Sequence, residues 1–109
     1  MAYLYLLIAI IAEVIATTSL KASWGFSKIY PSIIVIIGYA ISFILLSLAL
    51  KTIPIGIAYA YWAGLGIIFI TIIGYLVYKQ TLDTFAIIGI SLIIIGMLMI
   101  NLLSKTIKY

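Results

Sequence analysis

Four long apolar runs, separated by lysines and short polar connectors, organise the chain. The first covers 3–20 and stops at Lys21. The second covers about 32–50, opened by Pro31 and closed by Lys51, and the third about 57–78, after a turn holding Pro54 and Gly56 and before Lys79. The fourth covers about 85–103, between Asp83 and Lys105. About 20 helical residues cross a ~30 Å hydrocarbon core, and each run comes close to that length. Pro31 suits the start of a helix, and Pro54 in a connector ends one. The pattern predicts an all-α integral membrane protein, with 1–109 forming a single domain of four transmembrane helices. Connectors this short make neighbouring spans antiparallel, so both termini fall on one side.

Composition agrees. The 109 residues are 68% hydrophobic and 7% charged, and mean hydropathy is +1.46. Soluble chains carry about 25% charged residues, and a small soluble domain buries only part of its surface. Lipid is therefore the solvent for most of this chain. Tyr3, Tyr5, Trp24, Tyr30, Tyr75, Tyr78 and Tyr109 cluster near the predicted span ends, as an interfacial aromatic belt does. The N-terminus lacks the basic segment of a signal peptide, and its apolar run is too long for one; it is expected to stay in the mature protein.

Cysteine and histidine are absent, which excludes disulfides, Cys/His zinc sites and histidine acid–base chemistry. The net charge of +4 is spread over scattered lysines and forms no nucleic-acid footprint. Lys51, Lys105 and Lys108 lie on the side of the termini, and Lys21, Lys28 and Lys79 on the other. Orientation follows an excess of positive charge on one side, and three lysines face three here. Such a balance arises by chance in a small chain, or it marks a protein that inserts both ways up.

Glu13 is the only ionisable side chain well inside a span. It lies ten residues beyond Tyr3, about 15 Å along a helix and so near the bilayer midplane. An ionised acid there costs about 3 kcal/mol on insertion scales, so it faces protein or a water-filled cavity. Intramembrane ionisable groups usually serve function, although a permanently protonated structural acid is the plain alternative. Leu6, Ala9, Ala16, Thr17 and Leu20 share its helical face. The small ones, Ala9, Ala16 and Thr17, leave room either for a ligand or for ordinary helix packing.

The third span groups Tyr59 and Trp62 three residues apart on one face, followed by Gly64 and Gly66. Aromatic rings this deep can attract an organic cation, at about 1–2 kcal/mol when desolvated, or simply fill the core. Gly64 and Gly66 would loosen the helix and let it bend. In the second span Tyr39 and Phe43 stand four apart with Ser42 beside them, placed either to line the same cavity or to pack. In the fourth span Gly89 and Gly96, seven apart, form a smooth groove for a partner helix or for packing within the chain.

Only two carboxylates exist, Glu13 and Asp83, and neither a phosphate-binding loop nor a catalytic triad appears. No enzyme activity and no cofactor are expected. A lone bundle of this size has too little bulk to enclose a drug-sized cavity around Glu13. Two copies inserted in opposite senses would share a chamber holding two Glu13 side chains. They would also supply the inverted halves that transporters build by duplication. Protons and a hydrophobic cation excluding one another at Glu13 would then move in opposite directions, with the proton as coupling ion.

These residues resemble the small multidrug resistance family of bacterial exporters. The likeness runs through Ala12-Glu13-Val14-Ile15 with Thr17 and Lys21, then Gly25-Phe26 and Pro31-Ser32. It continues in Ile53-Pro54-Ile55-Gly56-Ile57-Ala58-Tyr59-Ala60 with Trp62, Gly64 and Gly66, and ends in Ile100-Asn101-Leu102-Leu103-Ser104. The resemblance implies an antiparallel dual-topology homodimer in a bacterial inner (plasma) membrane and proton-coupled antiport of small lipophilic cations. It implies a site built on Glu13 and lined by Tyr39, Tyr59 and Trp62, and a dimer seam along Gly89 and Gly96. Guanidinium exporters of this family carry a tryptophan shortly after the glutamate. Glu13-Val14-Ile15-Ala16-Thr17-Thr18 has none, so the chain looks like the quaternary-ammonium and multidrug branch. Ala16 and Ala63 depart from the glycine and serine of the multidrug prototype. Two other readings are a guanidinium-type exporter and an accessory subunit in which Glu13 anchors a partner helix.

Overall fold

The computed structural model describes residues 1–103 and is all-helical, with α1 at Ala2–Ala22, α2 at Ile29–Ala49, α3 at Ile55–Tyr78 and α4 at Thr84–Leu103. All four are long and apolar enough to cross a membrane. Ser104, Lys105, Lys108 and Tyr109, used above for motif, charge balance and belt, lie outside the described residues. Large apolar side chains such as Ile36, Ile44, Ile87 and Leu92 are exposed along the helices. In water that surface would be unaffordable; in lipid it is the natural exterior.

Two helices begin earlier than the hydrophobic runs suggest. α2 starts at Ile29, which places Pro31 within its first turn. The first four helical N–H groups have no partner inside a helix, so proline is tolerated there. Pro54 is the N-cap of α3, and Gly56 belongs to the first helical turn instead of the connector. The Pro54 carbonyl accepts from Ala58 N–H at 2.9 Å.

The chain divides into two compact units, Met1–Lys51 and the segment from Thr52 onward. In the first, α1 and α2 pack through small residues. Ala9 and Ala16 have no exposed surface, and Leu6, Ile10, Val14 and Val35 flank them. Ser42 is fully buried and donates to the Ala9 carbonyl at 2.9 Å. Small side chains let membrane helices approach closely, and interhelical hydrogen bonds then fasten them.

The α1–α2 connector is tied by Ser23. Its hydroxyl donates to the Leu20 carbonyl at 2.7 Å and accepts from Phe26 N–H at 3.1 Å, while its carbonyl accepts from Ser27 and Lys28. Trp24, Gly25 and Phe26 all take positive φ, at 49°, 68° and 67°. Left-handed backbone costs about 1–2 kcal/mol at a non-glycine residue, so the fully buried Ser23 hub holds a strained turn.

In the second unit Met97 is buried and fits against Gly64. A β-carbon at Gly64 would come within 2.3 Å of Met97 Sδ and 2.9 Å of Met97 Cβ. Tyr61 donates from its hydroxyl to Asn101 Oδ1 on α4. α3 ends at Lys79, which is left-handed with φ 56°, and Gln80 N–H closes back onto the Gly74 carbonyl at 3.0 Å. Asp83 then opens α4, its Oδ1 accepting from Ala86 N–H at 2.9 Å. The second carboxylate is thus a helix cap, where negative charge suits the helix dipole.

Candidate functional site

Glu13 sits eleven residues into α1, at mid-helix and half-buried. The i to i+4 spacing on a helix sets Thr17 directly above it. Thr17 Oγ1 donates to Glu13 Oε1 at 3.1 Å. Across the helix pair, Tyr39 Oη lies 2.6 Å from Thr17 Oγ1. A threonine hydroxyl carries a single hydrogen. With that hydrogen spent on the carboxylate, Tyr39 is the donor in the second bond. The order is therefore Tyr39 to Thr17 to Glu13, a short chain of hydroxyls pointing at a carboxylate.

The Tyr39 ring is held from its other side. Phe43 stacks on it with ring centroids 5.9 Å apart and planes 19° from parallel. Tyr39 is half-buried, and Phe43 is 58% exposed. Gly38, next to Tyr39, is what lets α2 come close enough. A β-carbon there would meet Ala16 Cβ at 2.8 Å and the Ala12 carbonyl at 3.2 Å.

Four of the expected site residues, Glu13, Thr17, Tyr39 and Phe43, thus come together within one helix pair. Ala9 is fully buried under α2, so of the two readings left open for the small residues, helix packing describes Ala9 and Ala16. Of the two placements left open for Ser42, packing is the one seen: it points into the α1–α2 seam and donates to the Ala9 carbonyl.

In the second unit Tyr59 is 73% exposed and Trp62 half-exposed, both presented by α3. Gly64 and Gly66 are buried, and α3 runs through both as one helix. Gly64 makes the notch for Met97, whereas a β-carbon at Gly66 would meet nothing within 4 Å. Gly89 and Gly96 on α4 also face open space.

Two partnerships escape a reading of the runs alone. The hydroxyl chain from Tyr39 through Thr17 links residues 22 positions apart; the Glu13–Thr17 spacing signals only its first bond. The Tyr61–Asn101 bond has a plainer sign. Among the described residues Asn101 is the one carboxamide inside a helix, and such a group seeks a partner on a neighbouring helix.

Four apolar spans with one half-buried carboxylate at mid-span define a multi-pass membrane protein. The family model for the Small Multidrug Resistance protein matches residues 1–93. Quaternary ammonium compound-resistance protein QacE of Escherichia coli is 54% identical over 103 residues, covering 94% of each chain. Multidrug transporter PA4990 of Pseudomonas aeruginosa is 52% identical over 103 residues, again 94% of each. Quaternary ammonium compound-resistance protein QacH of Staphylococcus saprophyticus is 46% identical over 101 residues, 93% of this chain and 94% of that one. The chain belongs to the small multidrug resistance family.

Proposed function

We propose that the protein is a proton-coupled antiporter that exports quaternary ammonium and other lipophilic cations across a bacterial inner membrane. What carries this reading is Glu13: a half-buried mid-span carboxylate, hydrogen-bonded on one side by Thr17, in a chain about half identical to proteins named for quaternary ammonium resistance. An ionised carboxylate in a low-dielectric setting demands a counter-charge. A proton supplies it covalently and an apolar cation supplies it by contact. The two exclude each other, and exclusion at one site couples their opposite movement.

On the α1–α2 pair the substrate side comprises Glu13, Thr17, Tyr39 and Phe43, and Ala9 shapes the wall behind them. In its own unit, α3 presents the aromatic faces of Tyr59 and Trp62 as candidate substrate contacts. Exposed rings suit cations whose charge is shielded by carbon. The functional unit is an antiparallel homodimer, which gives each carboxylate a protein environment on the side that one copy leaves open. The open faces at Gly89 and Gly96 support a seam along α4, and the even lysine distribution supports insertion in both senses.

Purified protein in liposomes tests this. An imposed proton gradient should drive tetraphenylphosphonium against its own gradient, and Glu13→Gln should abolish that movement. Transport of guanidinium alone would move the protein to the guanidinium branch. If the chain by itself moved no cation, the accessory-subunit reading would replace this one.

A further inference from the structure

Glu13 must change its hydrogen-bonding character when it changes charge. An ionised carboxylate only accepts, whereas a protonated one has an O–H to donate. In an apolar setting a donor left without an acceptor costs about 1–3 kcal/mol. Thr17 Oγ1, 3.1 Å away, is the acceptor at hand. It can take that hydrogen only by giving its own to something else, and Tyr39 Oη stands 2.6 Å beyond it. Resting on the proton–cation reading above, we infer that Thr17 is a positioning residue that passes the charge state of Glu13 to the Tyr39 hydroxyl by reversing both hydrogen bonds.

The two arrangements differ in what Tyr39 presents to its surroundings. With Glu13 ionised, Tyr39 donates to Thr17, and its oxygen lone pairs face outward. With Glu13 protonated, Tyr39 accepts from Thr17, and its hydrogen points outward. An incoming cation therefore meets an oxygen in the first state and a positive hydrogen end in the second. The sign of the site switches at the ring as well as at the carboxylate. Stacking on Phe43 holds the ring in place, so the hydroxyl can turn without the side chain moving.

No second charge competes for this role on the packed helices. α2 carries no lysine, arginine or carboxylate; its titratable groups are Tyr30 and Tyr39. On α1 the others are Tyr3, Tyr5 and Lys21. Tyr5 and Lys21 each stand eight residues from Glu13, about 12 Å along the helix.

Carbon-13 NMR of the full chain in lipid bilayers tests the inference, with labels at the Glu13 carboxyl carbon and the Tyr39 Cζ. In the native protein the Tyr39 signal should shift with pH at the midpoint of the Glu13 signal. Thr17→Val should leave Glu13 titrating and make Tyr39 flat, and Thr17→Ser should restore the coupled shift. Losing the relay should weaken tetraphenylphosphonium binding to ionised Glu13 about three- to tenfold, as for one neutral hydrogen bond such as that from Tyr39 to Thr17. A native Tyr39 signal that stays flat while Glu13 titrates and the cation competes would overturn the relay alone, and this arm needs no variant to fold. So would a Tyr39 signal that still follows Glu13 in Thr17→Val. A Glu13 signal that never moves, or cation binding indifferent to pH, would remove the proton–cation reading and the relay with it.

Discussion

Gly38 of α2 rests against Ala16 of α1 so closely that a β-carbon at Gly38 would fall 2.8 Å from the methyl of Ala16. This contact sets the distance at which Tyr39, the next residue, can reach Thr17, the next residue on the other helix. Packing and chemistry are thus adjacent in sequence on both helices. Gly38→Ala should push the pair apart. Overpacking costs about 1–3 kcal/mol, against a gain of up to about 1 kcal/mol in helix propensity, so a net loss of stability is expected. It should appear as earlier unfolding in detergent titrations. Adding Ala16→Gly should recover part of the loss, because the two sites are coupled. Equal stability of Gly38→Ala and native protein would show that the helices are not held this tightly.

Gly64 and Gly66 should behave oppositely, although both are buried glycines of α3. Gly64→Ala drives a methyl into Met97 Cβ as well as its flexible sulfur, and a loss of about 1–3 kcal/mol should follow. Met97→Ala in the same chain should relieve only the part due to the sulfur and Cγ, because alanine keeps the Cβ that lies 2.9 Å away. Gly66→Ala meets no atom within 4 Å and should leave thermal stability within about 0.5 kcal/mol of native. A transport defect in Gly66→Ala at native stability would then point to the bending role expected from its place in the span.

The spans, their order and the single interior acid are all legible in the hydrophobic pattern. Lipid demands long apolar helices, and Glu13 is conspicuous because little else in those runs is polar. Helix starts were less legible. Pro31 marks a start and Pro54 looks like a stop, yet the first turn of a helix needs no N–H donors, so α2 begins two residues before Pro31 and Pro54 itself caps α3. The direction of Ser42 was hidden too. It stands between Tyr39 and Phe43 in sequence, but one residue is 100° of helix, enough to turn it from their side into the seam with Ala9. The family resemblance supplied what periodicity does not, namely the branch and the coupling expected of Glu13.

Asp83 caps α4 through Ala86 N–H and should matter for folding only. Asp83→Ala should cost about 0.5–2 kcal/mol, and Asp83→Ser should retain most of the cap. Cation affinity and its pH dependence should be unchanged in both. A changed pH profile in Asp83→Ser would reveal a second proton site in the connector.

Tyr61→Phe removes the donor to Asn101. Interhelical hydrogen bonds in membranes average about 0.6 kcal/mol, so only a slight loss of stability is expected. A much larger one would mean that this bond fastens the second helix pair.

The proposed transport cycle depends on one carboxylate, Glu13, accepting either a proton or an apolar cation. The direct check is the dissociation constant of tetraphenylphosphonium measured across pH for the native protein and for Glu13→Gln. Native affinity should fall about tenfold per pH unit for each proton displaced once Glu13 is protonated, and Glu13→Gln should bind weakly at every pH. Tight, pH-dependent binding that survives in Glu13→Gln would contradict the mechanism.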